Sequence, residues 1–185
     1  MALFNWPYSQ SSQTKAYLIS QRNRLFRVAY SWCHSDALAD DLVQETLLRA
    51  LKYGKPLRND KAMDGWLFRI LANCWHDELR RRHDTQDIND YEFHSSDNTE
   101  EQHYRTEILT QVYQAMSKLP EAQREVVSLI DIAELSYEET AKALDVPVGT
   151  VMSRLNRARL ALRDRLEKKC RQPAGKILPF GASNE

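Results

Sequence analysis

The residues of this 185-residue chain that could do chemistry are mostly cations, amides and hydroxyls on helical spacings. Near the C-terminus Thr150, Ser153, Arg154, Asn156 and Arg157 fall on one side of a helix. These side-chain types bind phosphates and base edges when a helix enters a major groove. A second set, Trp66, Arg69, Asn73, His76 and Arg80, recurs at spacings of three, four, three and four. Basic groups, an amide and an aromatic on one face suit a separated nucleic-acid strand, through backbone charge and base stacking. For Trp66 alone, burial in the core is the preferred reading, because an indole carries a large apolar area.

Catalytic and metal-binding patterns are not found. Cys33 and His34 with Cys74 and His76 suggest zinc ligands, but neighbours on a helix point about 100° apart and do not readily share one ion. Glu100-Glu-Gln-His103 has one Glu-x-x-His and no second copy. No phosphate-cradling glycine loop or nucleophile elbow is present. The expectation is a protein that is not an enzyme, with no metal, cofactor or small-molecule substrate.

The element that must position the first set is Leu135 to Arg159. Ser136 with Glu139 makes a capping box, so a helix opens at Tyr137 and buries Thr140, Ala141 and Leu144. Pro147 restarts the chain at the head of a second helix, with Val151, Leu155, Ala158 and Leu162 on its buried stripe. The pattern is that of a helix-turn-helix. Asp145 stands at the turn, where glycine is frequent; aspartate tolerates the left-handed conformation better than most residues. Val148 to Lys176 holds nine Lys or Arg against Asp164 and Glu167, which favours DNA binding over a merely solvated hairpin.

Upstream, Gln13 to Cys33 and Asp36 to Lys52 carry helical periodicity. The second of these has two stripes. Ala39, Leu42, Val43, Thr46, Leu47, Ala50 and Leu51 form a core face, and Asp41, Gln44, Glu45 and Leu48 form the opposite one. From periodicity alone the latter reads as solvated rather than as a docking surface. Lys55 to Asp64 reads as a loop, with a new helix from about Gly65 closed by Arg80, Arg81 and Arg82. Thr85 to Arg105 is polar and acidic, a linker by composition. Beyond it Ile108, Val112, Met116 and Leu119 resume the helical period, and Pro120 opens a helix with Val126, Val127 and Ile130. The expected fold is all-α. A tail (1–12), a helical domain (13–84), a flexible acidic linker (85–106), a helix-turn-helix domain (107–170) and a second tail (171–185) follow in order.

Net charge is zero, but residues 1–85 carry 13 basic and 9 acidic side chains, 86–107 carry 1 and 7, and 108–185 carry 12 and 10. Two basic ends flank an acidic middle, the asymmetry that matters for binding a polyanion. Three widely spaced cysteines do not suggest a secreted disulfide framework, Met1 to Thr14 lacks a basic start followed by an apolar run, and no stretch approaches about 20 apolar residues, so neither a leader nor a membrane span is expected. The expected compartment is the cytoplasm.

Four motifs in order carry a resemblance: Ala39-Asp-Asp-Leu-Val-Gln-Glu-Thr-Leu-Leu-Arg-Ala50, the run from Gly65 to Arg82, Leu119-Pro-Glu-Ala-Gln-Arg-Glu-Val126, and Val148-Gly-Thr-Val-Met-Ser-Arg154. Over about residues 14 to 168 the chain resembles the extracytoplasmic-function sigma factors, group 4 of the bacterial sigma-70 family. The resemblance implies a fold of two small helical domains, sigma region 2 and sigma region 4. It implies a subunit that binds core RNA polymerase and directs it to promoter DNA. It turns the Asp41, Gln44, Glu45, Leu48 stripe into the polymerase-docking face. It assigns Arg58, Asn59, Lys61, Arg69, Asn73, Asp77, Arg80 and Arg81 to the nontemplate strand of the −10 element, where a base is flipped out. Thr150, Ser153, Arg154, Asn156 and Arg157 fall to the −35 element. It further implies an anti-sigma factor, membrane-anchored, that holds the protein at the inner membrane until it is released to the nucleoid. A stand-alone helix-turn-helix regulator would need a dimer or effector module, and a decoy for an anti-sigma factor would carry a receiver domain; neither feature is evident.

Overall fold

A computed structural model describes residues 12–53, 60–85 and 100–170. Seven α-helices span Ser12–Cys33 (α1), Asp36–Tyr53 (α2), Asp60–Thr85 (α3), Glu100–Ser117 (α4), Glu121–Val127 (α5), Tyr137–Leu144 (α6) and Val148–Cys170 (α7), with a π-helical turn at Ser128–Ile132. No strand occurs among the described residues.

The first three helices bury the stripes that their periodicity predicts. Leu25, Val28, Ala29 and Trp32 of α1 meet Ala39, Leu42, Val43 and Ala50 of α2 and Leu67, Phe68, Leu71 and Trp75 of α3. The indoles of Trp32 and Trp75 lie 6.4 Å apart. Thr46, polar but fully buried, donates its hydroxyl to the Leu42 carbonyl one turn back at 2.7 Å, which satisfies it inside the helix. Trp66 is half-buried against this core, as its size suggests.

The helix-turn-helix forms from local chemistry. The Ser136 hydroxyl accepts the Glu139 amide while the Glu139 carboxylate accepts the Ser136 amide, the reciprocal capping box. Helix α6 buries Thr140, Ala141, Ala143 and Leu144 and ends at Asp145 with φ 54° and ψ 47°. That left-handed residue closes the helix without glycine. Pro147 stands just before α7, its carbonyl accepting the amides of Thr150 and Val151, so it caps the helix from outside. Val151, Leu155 and Ala158 are buried, and Leu162 half-buried.

Three features depart from the sequence reading. Helix α3 begins at Asp60, not near Gly65, so part of the expected loop is helical. Asp64 supplies a carboxylate in the first turns of this helix, where Arg24 holds it at 2.7 Å. Helix α4 starts at Glu100, inside the expected linker, and Ile108 and Leu109 are exposed rather than core. The third is larger. The two helical units do not stand apart but share a seam in which α1 meets α4, α5 and the π-helical turn while α3 meets α6. At the seam the buried hydroxyls of Ser31 and Ser128 bond at 2.7 Å, Arg24 donates to the Ala133 carbonyl, and the rings of Tyr30 and Tyr113 meet edge to face 4.9 Å apart. Gly65 faces α6, where an added β-carbon would meet that of Glu139 at an ordinary contact distance of 3.5 Å.

Candidate nucleic-acid interface

The helix-turn-helix points α7 outward, with its Val151, Leu155, Ala158 stripe against α5 and α6. Ser153, Asn156 and Arg157 are exposed on the opposite side, and Thr150 and Arg154 are half-exposed beside them. The structure thus brings together all five residues predicted to read duplex DNA. The Ser153 hydroxyl donates to the Thr150 carbonyl at 3.0 Å. Arg154, Asn156 and Arg157 have no side-chain partner among the described residues, so their donors are available to a ligand at no cost in broken bonds. Farther along, Arg159 is held by Asp131 at 2.5 Å and is not free in the same way. Met152, 53% exposed next to Ser153, adds an apolar group to this face that the charge pattern did not signal.

On α3, Arg69, Asn73, Arg80 and Arg81 are exposed along the expected face, and Asp77 lies half-buried among them. Arg58 and Asn59 lie outside the described residues, as does the side chain of Lys61. This face differs from α7 in its bonding. Asp77 accepts from Arg49 at 3.0 Å and from Arg80, and Arg81 pairs with Glu78 at 3.4 Å. The Arg49 bond, with help from the Arg80 charge, holds the Asp77 carboxyl below the usual carboxylate range. His76 bonds through Nε2 to Glu125 of α5 at 2.7 Å, so the second unit abuts the strand face. That bond raises the imidazole pKa despite partial burial.

The acidic stripe of α2 is exposed as a set: Asp41, Gln44 and Leu48 stand in solvent, with Glu45 half-exposed. Leu48, 61% exposed, is an apolar side chain that packs into no core among the described residues. Glu45 accepts from Arg49 at 2.6 Å, and Arg49 also holds Asp77. One guanidinium therefore ties this stripe to the strand face of α3. Periodicity showed neither Arg49 nor Glu125 as a connecting residue, because Asp77 and His76, the partners that make the connections, lie on another helix.

The two described cysteines, Cys33 and Cys74, expose no thiol on these faces. Cys33 is buried, and desolvation pushes its thiol up to about 11; Cys74 is buried and raised for the same reason. Both are packing residues rather than reactive thiols.

Family models for sigma-70 region 2 and sigma-70 region 4 match residues 18–85 and 109–162. The chain is 34% identical over 157 residues to the ECF RNA polymerase sigma factor SigE of Mycolicibacterium smegmatis, covering 82% of this chain and 61% of that protein. It is 37% identical over 126 residues to the ECF RNA polymerase sigma factor EcfG of Rhodopseudomonas palustris, covering 67% and 68%. It is 30% identical over 167 residues to the RNA polymerase sigma-H factor of Pseudomonas aeruginosa, covering 84% and 86%. Among solved structures, the sigma factor RpoE of Bartonella quintana, in complex with the anti-sigma factor NepR, matches with a TM-score of 0.69 at 27% identity, covering 85% of this chain and 98% of that one. CnrH, in complex with the cytosolic domain of CnrY, matches with a TM-score of 0.63 at 27% identity, covering 86% and 91%.

Proposed function

Because the chain belongs to the extracytoplasmic-function sigma factors of the sigma-70 family, we propose that it works as an initiation subunit through three separate faces. The Asp41, Gln44, Glu45, Leu48 stripe docks on core RNA polymerase, with Leu48 as the apolar anchor and the acids setting charge complementarity. The α3 face, with Arg69, Asn73, Asp77, Arg80 and Arg81 and with Arg58, Asn59 and Lys61 upstream, takes the nontemplate strand of the −10 element. The α7 face, with Thr150, Ser153, Arg154, Asn156 and Arg157, reads the −35 element in the major groove. The functional domains are residues 13–84 and 107–170, joined through 85–106.

The observation that carries this reading is the coexistence, on one chain, of a partner-free helix-turn-helix face and a second basic face of a different kind. Arg154 and Arg157 suit base edges and phosphates of a duplex, whereas Asn73 among cations suits an unstacked strand. A stand-alone regulator needs only the first. An anti-sigma factor is the natural partner in regulation, since both solved neighbours are complexes, one with a named anti-sigma factor. We extend this to anchorage of that partner at the inner membrane, on the parallel with a regulator described by its cytosolic domain. The chain itself has no described helix long and apolar enough to cross a membrane.

Run-off transcription with purified core polymerase on a genomic promoter library tests the reading directly. Promoter-specific transcripts are expected only when the chain is added, and DNA binding without any stimulation of core would assign the protein to the stand-alone regulators. Leu48→Arg isolates the docking face: co-purification with core is expected to fail while circular dichroism is unchanged, because the side chain stands outside the core. Undiminished association rejects that interface.

A further inference from the structure

Three side chains that meet at the seam have no contact assigned to them in the function proposed above. His76 of α3 and Glu121 and Glu125 of α5 bring one imidazole nitrogen and two carboxylate oxygens within 4.8 Å of one another. They lie 45 and 49 positions apart in the chain and meet only because the two helical units dock. Glu121 and Glu125 stand one helical turn apart, so their carboxylates share a side of α5. The Glu125 side chain is only 7% exposed, whereas His76, at 37%, leaves a path from solvent.

The charge balance here is poor for a chain on its own. Two carboxylates face one another, their oxygens within 4.8 Å. His76 supplies one bond to Glu125. Arg124 and Arg80 lie near enough to act on the group, but neither donates a hydrogen bond to these carboxylates: Arg124 reaches the Ser117 carbonyl and Arg80 reaches Asp77. A divalent cation would bind both carboxylates and the imidazole at once and remove the repulsion between them.

We propose that His76, Glu121 and Glu125 form a binding site for a divalent transition-metal ion of the zinc class, clasping α3 to α5 across the seam. One nitrogen and two oxygen donors fit zinc or cobalt better than calcium or magnesium, which prefer all-oxygen shells. Metal–nitrogen and metal–oxygen bonds of about 2.0–2.2 Å replace the 2.7 Å hydrogen bond between His76 and Glu125, whose two atoms move apart as its proton leaves, while the long side chain of Glu121 brings the third ligand in from the surface. The remaining coordination positions fall to water, as in open three-ligand sites. His76 shares the α3 face with Asn73 and Arg80, so the bound ion holds the second unit beside the strand face. Binding to the closed arrangement and not to the open one stabilises the former by mass action. This regulatory consequence rests on the strand-binding role proposed above; the site itself does not.

The test uses the full chain at pH 8, freed of metal, with cobalt(II) as the first probe and zinc(II) as competitor. One cobalt per chain is expected, seen as visible d–d absorption and displaced by zinc. Glu121→Gln, a surface change that leaves the fold alone, and His76→Ala should each weaken zinc by roughly tenfold or more. Absence of the cobalt spectrum overturns the site, and so does binding that both variants leave unchanged, which would move the ion to other histidines or to Cys170. Zinc should also lower affinity for a −10 single strand by about fivefold in the native chain but not in Glu121→Gln. Zinc binding without that loss removes the clasp. Failure of transcription with intact zinc binding sinks the sigma reading and leaves the site standing.

Discussion

On α7 the side chains of Arg154, Asn156 and Arg157 project with no partner among the described residues. On α3 Arg80 and Arg81 are each engaged by a neighbouring acid, and His76 by an acid from the other helical unit. The two faces carry similar residue types at similar exposure, so composition alone would rate them alike. Their bonding separates them. On the roles proposed, a duplex binds α7 without breaking a described protein contact, whereas a strand that uses Arg80 and Arg81 of α3 draws them from the carboxylates of Asp77 and Glu78. On that proposal the α7 face binds at once, and this part of the α3 face binds after an exchange.

The largest expected effect comes from opening the seam that sets the difference. His34 lies buried beside it, with Arg124 of α5, Lys118 before α5 and Tyr30 of α1 around the ring, and burial with those two cations lowers its pKa to about 4. A base whose folded pKa lies below its unfolded value of about 6.5 gains its proton preferentially on unfolding. Its neutral form therefore costs nothing above pH 6.5, and stability falls as pH drops from there toward 4, by on the order of 3 kcal/mol at the lower end. His34→Asn removes this slope while keeping a residue that accepts φ 54°. Urea unfolding of both proteins at pH 7 and pH 4.5 measures it: the native chain should lose more stability than the variant, and parallel losses would exonerate His34.

Next in size is the duplex contact. Arg157→Ala should weaken binding to an isolated −35 duplex by roughly 1–3 kcal/mol if it makes a bidentate base contact, and leave an opened −10 bubble bound. Asn73→Ala should do the reverse, by roughly 1 kcal/mol for a lost hydrogen bond. Band shifts at one fixed salt concentration read both, because phosphate contacts make affinity salt-dependent. If both variants lose both activities equally while remaining folded, the division between the faces is wrong.

The helix-turn-helix was legible because everything that shapes it lies within a few residues. Ser136 and Glu139 cap each other, Asp145 takes the left-handed turn, and Val151, Leu155 and Ala158 repeat at the helical period. The same holds for the α2 stripes. The seam was not legible. Ser31 reaches Ser128, Arg24 reaches Ala133 and His76 reaches Glu125 across at least 49 positions, and no periodicity records a partner at that distance. The π-helical turn was hidden for a related reason, since Ala133 donating to Ser128 and Leu135 to Leu129 is a backbone choice that Ser-Leu-Ile-Asp-Ile does not announce. The early start of α3 was masked by the loop-forming composition of the stretch before Gly65.

The smallest effect, and the sharpest test of the exchange on α3, falls on Asp77. Its carboxylate accepts from both Arg49 and Arg80, so it spends its charge inside the protein although it stands among residues assigned to the strand. Asp77→Asn keeps the shape and one acceptor oxygen but removes the charge that holds the two guanidiniums. Exposed ion pairs of this kind contribute only about 0.2–1 kcal/mol, so the fold should survive. With Arg80 released toward solvent, single-strand affinity at low salt should rise by a similar amount. The slope of log affinity against log salt should steepen by about 0.7, the value for one more phosphate neutralised on a single strand. An affinity that falls with the slope unchanged would show that the Asp77 carboxylate itself contacts a base. The variant thus decides whether this acid reads the strand or restrains the cations that do.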